Sequence, residues 1–316
     1  MLIVFLWGGY LTYSDSWGLF AEYWPMSVTM LFGSFIAGAT PQGGAAVAFP
    51  VFTKVFHMPA TDARTVGLML QSVGMTMAAL TIWLRGIKIL PRVLAYSCVG
   101  GVLGMTLGTF VFVAPNPYPK VLFTLMLAVF GVAMVISRWG VHWKPIDQIS
   151  IWNTRRRLLL LSVGVVGGFF TAYTGAGADA ITFIVLTLYF GLDEKTSTPT
   201  TILIMAFNSL VGFFFHGVIL QDIGVAKDYW IVCIPIIIFG APLGAWVLFQ
   251  INRDTLIIAV LCLIIAEVTS TLILVPFTSQ MVTVMVAAIV VTTLCFWAML
   301  HCRQSRLDEN RSPIGR

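Results

Sequence analysis

The sequence predicts an all-α polytopic membrane protein built as an inverted repeat of two halves. Its 316 residues are 59% hydrophobic and only 10% charged, with a mean hydropathy of +0.94, which a water-soluble domain cannot carry on its surface. Long uncharged runs recur along the whole chain, each long enough for the roughly 20 helical residues that cross a hydrocarbon core. Two of these runs are interrupted at matching places, which indicates an internal repeat.

The chain divides into six parts in order. Residues 1–25 are predicted to be an interfacial or partial segment, because the opening MLIVFLWGGYLTY is apolar for only about a dozen residues and lacks the basic start of a signal peptide. The parts that follow are a first repeat (26–137), a basic cytoplasmic loop (138–156), a second repeat (157–275), a last transmembrane helix (276–302) and a cytoplasmic tail (303–316). The apolar segments within them are 26–56, 63–84, 89–114, 119–137, 157–190, 199–220, 229–250, 255–275 and 280–300.

Two of these segments are too long for one span and are broken near their centres. ATPQGGAA (39–46) interrupts the first, and YTGAGADA (173–180) interrupts the second. When the two strings are placed together, the identical pairs are Thr40 with Thr174, Gly43 with Gly177 and Ala46 with Ala180. We call this pairing the repeat alignment. Proline and glycine weaken helices, and the same interruption in both halves of a membrane protein is typical of transporters.

Basic residues predict how the chain is oriented. The most basic loop belongs in the cytoplasm, and it contains Arg138, Lys144, Arg155, Arg156 and Arg157. The loop 85–92 and the tail 303–316 are also basic, and all three lie on one side only if 157–190 enters and leaves the membrane as a re-entrant hairpin. Each half is then a broken hairpin plus three transmembrane helices, the halves are inverted, and an extra C-terminal helix follows.

The breaks predict a binding site. Inside a bilayer an interrupted helix is tolerated only where its freed backbone groups face protein or a wet cavity. A half-helix that begins there presents free amide groups and a partial positive charge, which suit an anion. We therefore expect two such starts to bind an oxyanion near the midplane without any Lys or Arg, since none is expected at that depth.

The candidate substrate-binding residues are glycines that allow close backbone approach and side chains that donate hydrogen bonds. They are Thr40, Gln42, Gly43, Gly44, Thr174, Gly175 and Gly177 at the breaks, with Gln71 and Asn208 on following helices. The alternative is that the glycines serve kinks and helix packing, and that Gln71 and Asn208 form interhelical hydrogen bonds.

Asp179 follows the second break and is the candidate proton- or ion-coupling residue. A carboxylate at membrane depth is costly unless paired or protonated. An ionised Asp179 would repel an anion, whereas a neutral one would donate a hydrogen bond and tie anion movement to a proton. Asp179 alternatively caps the second half-helix, or binds sodium together with Thr174 and freed carbonyls. Glu267 lies away from the breaks, and its role stays open between pairing with a polar neighbour and facing a cavity.

Other classes of function have little support. The four histidines, His57, His142, His216 and His301, lie at segment ends or in loops without metal-ligand spacing, and neither GxSxG nor HExxH occurs, so an intramembrane enzyme is disfavoured. The five cysteines occur singly, which predicts neither a disulfide frame nor a metal site. No cofactor and no nucleic acid are expected, and the predicted partners are a small anion and membrane lipid.

The paired glycine-rich breaks, each leading some three further spans, resemble the TauE/SafE family of membrane transporters. Halves in that family typically open with a pattern such as GxGGG followed shortly by proline. The matching residues here are Gly43, Gly44, Pro50, Gly175 and Gly177, and the departures are Pro41, Ala45, Ala178 and Asp179.

The resemblance extends in layout over nearly the whole chain and implies a function. It implies a secondary transporter that exports a small sulfur-containing anion, such as sulfite or an organosulfonate, by alternating access around a midplane site. The expected location is a bacterial or archaeal plasma membrane, with the C-terminus in the cytoplasm. The alternative is a carrier of another small solute coupled to Na⁺ or H⁺.

Overall fold

The chain is an integral membrane protein made almost entirely of helices. A computed structural model describes residues 2–112, 118–140, 145–149, 151–248, 250 and 252–311. Eight helices in this part are long and apolar enough to cross a membrane, and the all-α polytopic prediction is confirmed. His142 and Lys144, along with residues 312–316 of the predicted tail, lie outside the described residues.

The helices follow the predicted segments closely. Those of the first part are α1 (Leu2–Tyr13), α2 (Leu19–Ala39), α3 (Ala45–Pro50), α4 (Ala60–Leu84), α5 (Pro91–Thr106) and α6 (Tyr118–Val135). Those of the second part are α7 (Thr154–Thr174), α8 (Ala178–Ile184), α9 (Glu194–Phe214), α10 (Ala226–Val247), α11 (Arg253–Leu274) and α12 (Ser279–Arg311). Five of them continue through a π-helical turn: α3 to Val55, α5 to Val111, α6 to Gly140, α8 to Tyr189 and α9 to Ile219.

Two boundaries differ from the prediction. α2 begins at Leu19 rather than at 26, but it is kinked at Tyr23, where the backbone is not helical, so residues 19–22 form a separate turn before the long regular part. α12 runs on to Arg311 instead of ending at 302, because HCRQSRLDENR contains no glycine or proline to stop it. The predicted tail is therefore helical as far as Arg311.

The N-terminal segment is a short helix that packs on the second half of the chain. The indole nitrogen of Trp7 in α1 donates to the carbonyl of Ile231 in α10 at 2.8 Å, and Leu11 is fully buried. With 12 residues, α1 is too short to span a hydrocarbon core.

Each half packs its first helix on a helix of the other half. α2 lies along α10, and α7 lies along α5. These two pairings exchange with each other when the repeats are exchanged, whereas the contact of α4 with α9 and that of α6 with α11 each map onto themselves. The packing therefore follows the internal repeat, while the opposite orientation of the halves in the membrane stays a prediction.

Glycines make these pairings close. A Cβ atom on Gly104 of α5 would clash with the backbone carbonyl of Val165 on α7, and one on Gly244 of α10 would clash with the carbonyl of Phe35 on α2. Small residues let membrane helices approach until their backbones touch. The tightest contacts of the fold thus join the two halves.

Both broken segments fold back on themselves. A Cβ atom on Gly44, just before α3, would lie 3.2 Å from the carbonyl oxygen of Gly33 in α2. After the second break, the amide of Ala178 donates to the hydroxyl of Thr171 in α7 at 3.0 Å. The short arms, Ala45–Val55 and Ala178–Tyr189, are each about 17 Å long at 1.5 Å per residue, which is roughly half of a hydrocarbon core.

We expect Gly104→Ala to destabilise the protein, because the added methyl group meets backbone atoms of α7 that cannot rotate away. Overpacking of this kind lowers the free energy of unfolding by about 1–3 kcal/mol. Thermal unfolding of the purified protein in detergent measures the effect. Gly8→Ala is the control, since no atom lies within 4 Å of a Cβ there, and equal unfolding temperatures for the two variants would contradict the packing described.

Candidate functional site

The two breaks share two hydrogen bonds, and the second break has one more, because the hydroxyl of Thr174 also lies 2.6 Å from the carbonyl of Ala176. The hydroxyl of Thr40 donates to the carbonyl four residues earlier, and so does that of Thr174, at 3.0 Å in both cases. Each hydroxyl also accepts from the amide two residues later, at 3.4 Å. These predicted ligand residues therefore satisfy the backbone of their own loops, and the repeat alignment holds at the level of single bonds.

Glycine is required by the backbone at three positions of the breaks. Gly43, Gly175 and Gly177 have φ angles of 63°, 75° and 139°. Residues with a side chain are strained in this region. Gly43 and Gly177 are counterparts in the repeat, so both breaks have a glycine with a positive φ angle at the same position.

The breaks converge on one point. A Cβ atom on Gly43 would lie 2.6 Å from Oε1 of Gln71 and 3.3 Å from Oδ2 of Asp179. From α4, Gln71 donates its Nε2 to the carbonyl of Gly175 at 2.7 Å. The structure thus brings together four of the predicted site residues, from both breaks and from the helix between them. We call the point where Gly43, Gln71 and Asp179 meet the central gap; in this conformation it is closed, because a methyl group on Gly43 would already touch Gln71.

Two acceptor oxygens face the central gap. The Gly175 carbonyl can only accept, so it fixes Nε2 of Gln71 as the donor and leaves Oε1 toward the gap. Asp179 uses Oδ1 to accept from the amides of Gly177 at 3.3 Å and Ala180 at 2.9 Å. Its Oδ2 has no partner, as is also true of Oε1 of Gln71. Asp179 therefore caps the half-helix with one oxygen and leaves the other available to a ligand.

The site is closed to solvent. Thr40 and Asp179 are 0% exposed, and Gln42 and Thr174 are 1% exposed. The amide group of Gln42 is buried with neither its nitrogen nor its oxygen hydrogen-bonded. A buried polar atom without a partner costs about 1–3 kcal/mol, so the Gln42 side chain is also available to a ligand.

Asn208 belongs elsewhere. It packs against Gly101 of α5, and its Nδ2 donates to the carbonyl of Ile204 in its own helix at 2.9 Å. These contacts serve the α5–α9 interface rather than the breaks, which favours the packing interpretation for this residue.

The structure also pairs two charged residues that come from separate apolar segments. Lys54, at the end of the first short arm, is buried with its Nζ 2.6 Å from Oε2 of Glu267 in α11. The same nitrogen donates to Ser270 and Thr271, and Thr124 of α6 donates to the other Glu267 oxygen at 2.9 Å. The role of Glu267 is therefore to anchor the first short arm through a fully paired network. The sequence signal that could have revealed this ion pair is a lysine in one apolar segment and a glutamate in another.

A second cation was also missed at the other break. Arg64 of α4 donates from Nη1 to the carbonyl of Ala172, in the last turn of α7, at 3.1 Å. His216, predicted to be interfacial, is buried and lies 2.9 Å from Asp222. Among the described residues, no group of three or more His, Cys, Asp or Glu could hold a metal ion.

Comparison with known proteins gives one match. The family model described as sulfite exporter TauE/SafE matches residues 26–270, a range that contains both breaks and the whole repeat apart from its last few residues. No curated protein and no solved structure matches the chain.

We expect Gln71→Leu to lower the free energy of unfolding by about 1–3 kcal/mol, because the carbonyl of Gly175 loses its only described side-chain donor inside the protein. Ser72→Ala is the neighbouring control, since the Ser72 hydroxyl bonds only to the carbonyl of Met69 in its own helix. Thermal unfolding in detergent compares the two variants. A Gln71→Leu protein as stable as Ser72→Ala would mean that α4 does not hold the second break.

Proposed function

We propose that this chain, which belongs to the sulfite exporter TauE/SafE family, exports a small sulfur-containing anion such as sulfite or an organosulfonate. Family membership makes it a membrane transporter of the sulfite-exporter type and not an enzyme. The substrate, the direction and the coupling are our proposal.

One observation carries the proposal, namely that both breaks meet at a buried site. A substrate there would be reached by the start of α3, which has no side-chain cap, once movement of the surrounding side chains opens the site. Helix starts bind anions through free amides and the helix dipole. A small oxyanion fits such a site because it needs donors close to the backbone and little volume.

Alternating access requires bodies that move against each other. Backbone contacts tie α2 to α10 and α5 to α7, so each hairpin moves with a helix of the other half. We propose that these two bodies rock about the central gap and open it to one side at a time.

The central gap supports coupling to a proton. Both Oε1 of Gln71 and Oδ2 of Asp179 are acceptors there, and an anion offers only acceptors in return. A proton on Oδ2 turns Asp179 into a donor and removes its charge, so that an anion no longer meets a carboxylate. Anion and proton would then bind together.

The same two oxygens also support the second candidate, a Na⁺-coupled carrier of another solute. Hard cations prefer carboxylate and amide oxygens, and both kinds face the central gap from different helices. In that case sodium would take the place of the proton beside Asp179.

We expect sulfite or a small sulfonate to raise the unfolding temperature of the purified protein in detergent, since a ligand that binds only the folded state stabilises it. Sodium salts of carboxylates and chloride are the comparison set. Gly43→Ala should lose the shift, because its Cβ would lie 2.6 Å from Gln71 Oε1, while the control Gly67→Ala has 4.0 Å of room and should keep it. No anion shift, together with a shift when sodium replaces potassium, would overturn the anion proposal in favour of the cation carrier.

For coupling, we expect the wild-type protein to bind the anion more tightly at lower pH, and Asp179→Asn to bind it equally at each pH. Bound anion and protonated Asp179 favour each other, so proton uptake must strengthen binding. Sulfate or methanesulfonate is the ligand of choice, because its own charge stays constant over this range. Asp15→Asn, in the exposed turn after α1, is the control. A pH dependence that survives in Asp179→Asn would exclude Asp179 as its source.

A further inference from the structure

Arg64 lies against the end of α7, where the second break begins. Its carbonyl oxygen and Cα are 3.0 and 3.4 Å from the position of a Cβ atom on Gly175. Its guanidinium donates from Nη1 to the carbonyl of Ala172, three residues before that glycine, at 3.1 Å. Any ligand that reaches the second break from this end of α4 therefore meets the Arg64 side chain first.

The charge of Arg64 is not neutralised by an ion pair. The ion pairs found in the described part of the chain join Lys54 to Glu267, Arg138 to Asp254 and His216 to Asp222. Arg64 takes part in none of them, and its Nε is buried without a hydrogen-bond acceptor. A shielded guanidinium with a free N–H is the group that oxyanions bind best.

A second unpartnered nitrogen lies at the same level. α4 and α9 run antiparallel, since Leu68 packs on Gly212 and Leu90, just beyond α4, bonds to Thr200 near the start of α9. One turn before Leu68 is Arg64, and one turn after Gly212 is His216. His216 is 1% exposed, its Nδ1 lies 2.9 Å from Asp222, and its Nε2 has no partner.

We propose that Arg64 binds an oxyanion at the mouth of the second break, with His216 beside it, as a second station for the transported anion. This rests on the proposed function. Arg64 and Gln71 are seven residues apart on α4, so the two stations are separated by about 10 Å along the helix. His216 turns its Nδ1 toward the Asp222 carboxylate, so its Nε2 donates only when the ring is protonated. The central gap presents two acceptor oxygens, whereas Arg64 presents a charged donor, so anion affinity is concentrated at Arg64.

The station has a defined place in the transport path. The charge distribution predicts that the α9–α10 loop, which carries Asp222, faces outward, so an exported anion reaches Arg64 after it leaves the central gap. A cation at that point attracts the anion away from Asp179. It therefore favours release of the anion and the proton to the outside. The class of ligand is a small oxyanion, of single or double negative charge.

Three variants separate charge from structure. Arg64→Gln keeps a donor for the Ala172 carbonyl but removes the charge, and Arg64→Lys keeps the charge. Arg157→Gln removes the same charge from an exposed position on α7 and is the control. Affinities for sulfate and methanesulfonate, which have similar shapes but different charges, are measured by titration calorimetry on detergent-purified protein whose fold is checked by its unfolding temperature without ligand.

We expect Arg64→Gln to bind sulfate about tenfold more weakly and to lose more affinity for sulfate than for methanesulfonate. Arg64→Lys and Arg157→Gln should stay within about threefold of the wild type. A structural defect would weaken both ligands equally, so an unchanged sulfate-to-methanesulfonate ratio in Arg64→Gln overturns the proposal, and so does wild-type affinity in that variant. If the wild-type protein binds neither these anions nor sulfite, the proposed function itself fails.

Discussion

The structure depends on how a helix can be interrupted inside a membrane. In a hydrocarbon core each freed backbone group must find a partner in the protein or a ligand. The two breaks meet this need through short side chains nearby. Thr40 and Thr174 close the end of one helix and the start of the loop, and Asp179 accepts from amides of the second half-helix. The polar atoms that these bonds leave without partners, beside Gly43 and at Asp179, form the site that we propose.

Glycine packing brings the two breaks to one place. Because Gly104 and Gly244 let α5 approach α7 and α10 approach α2 until the backbones touch, each hairpin is set deep against the opposite half. Gln71 then bridges the remaining space between Gly43 and the carbonyl of Gly175. A larger residue at the packing positions would separate the hairpins and with them the two halves of the site.

Much of the fold could be predicted from local features of the sequence. Hydropathy predicted the spans, and the repeat alignment paired the breaks down to the bonds of Thr40 and Thr174. Features that depend on partners distant in the chain were not predictable from one sequence. Lys54 pairs with Glu267 across 213 positions, and Arg64 reaches Ala172 across 108. Asn208 was named with the site because it is polar and on a following helix, yet only the fold decides that it faces α5.

The two repeats have similar backbones at their breaks but differ in their charged residues, and this difference has a mechanistic consequence. In the repeat alignment the counterpart of Lys54 is Leu188, that of Glu267 is Ala133 and that of Asp179 is Ala45. The first short arm is thus anchored to α11 by a buried ion pair, whereas the second carries the free carboxyl oxygen at the central gap. Two arms of identical chemistry would make inward- and outward-facing states equal in energy. Because the arms differ, a proton or an ion bound at the Asp179 carboxyl would shift the equilibrium between the inward- and outward-facing states. A transporter needs such a shift in order to couple movement of its substrate to movement of an ion.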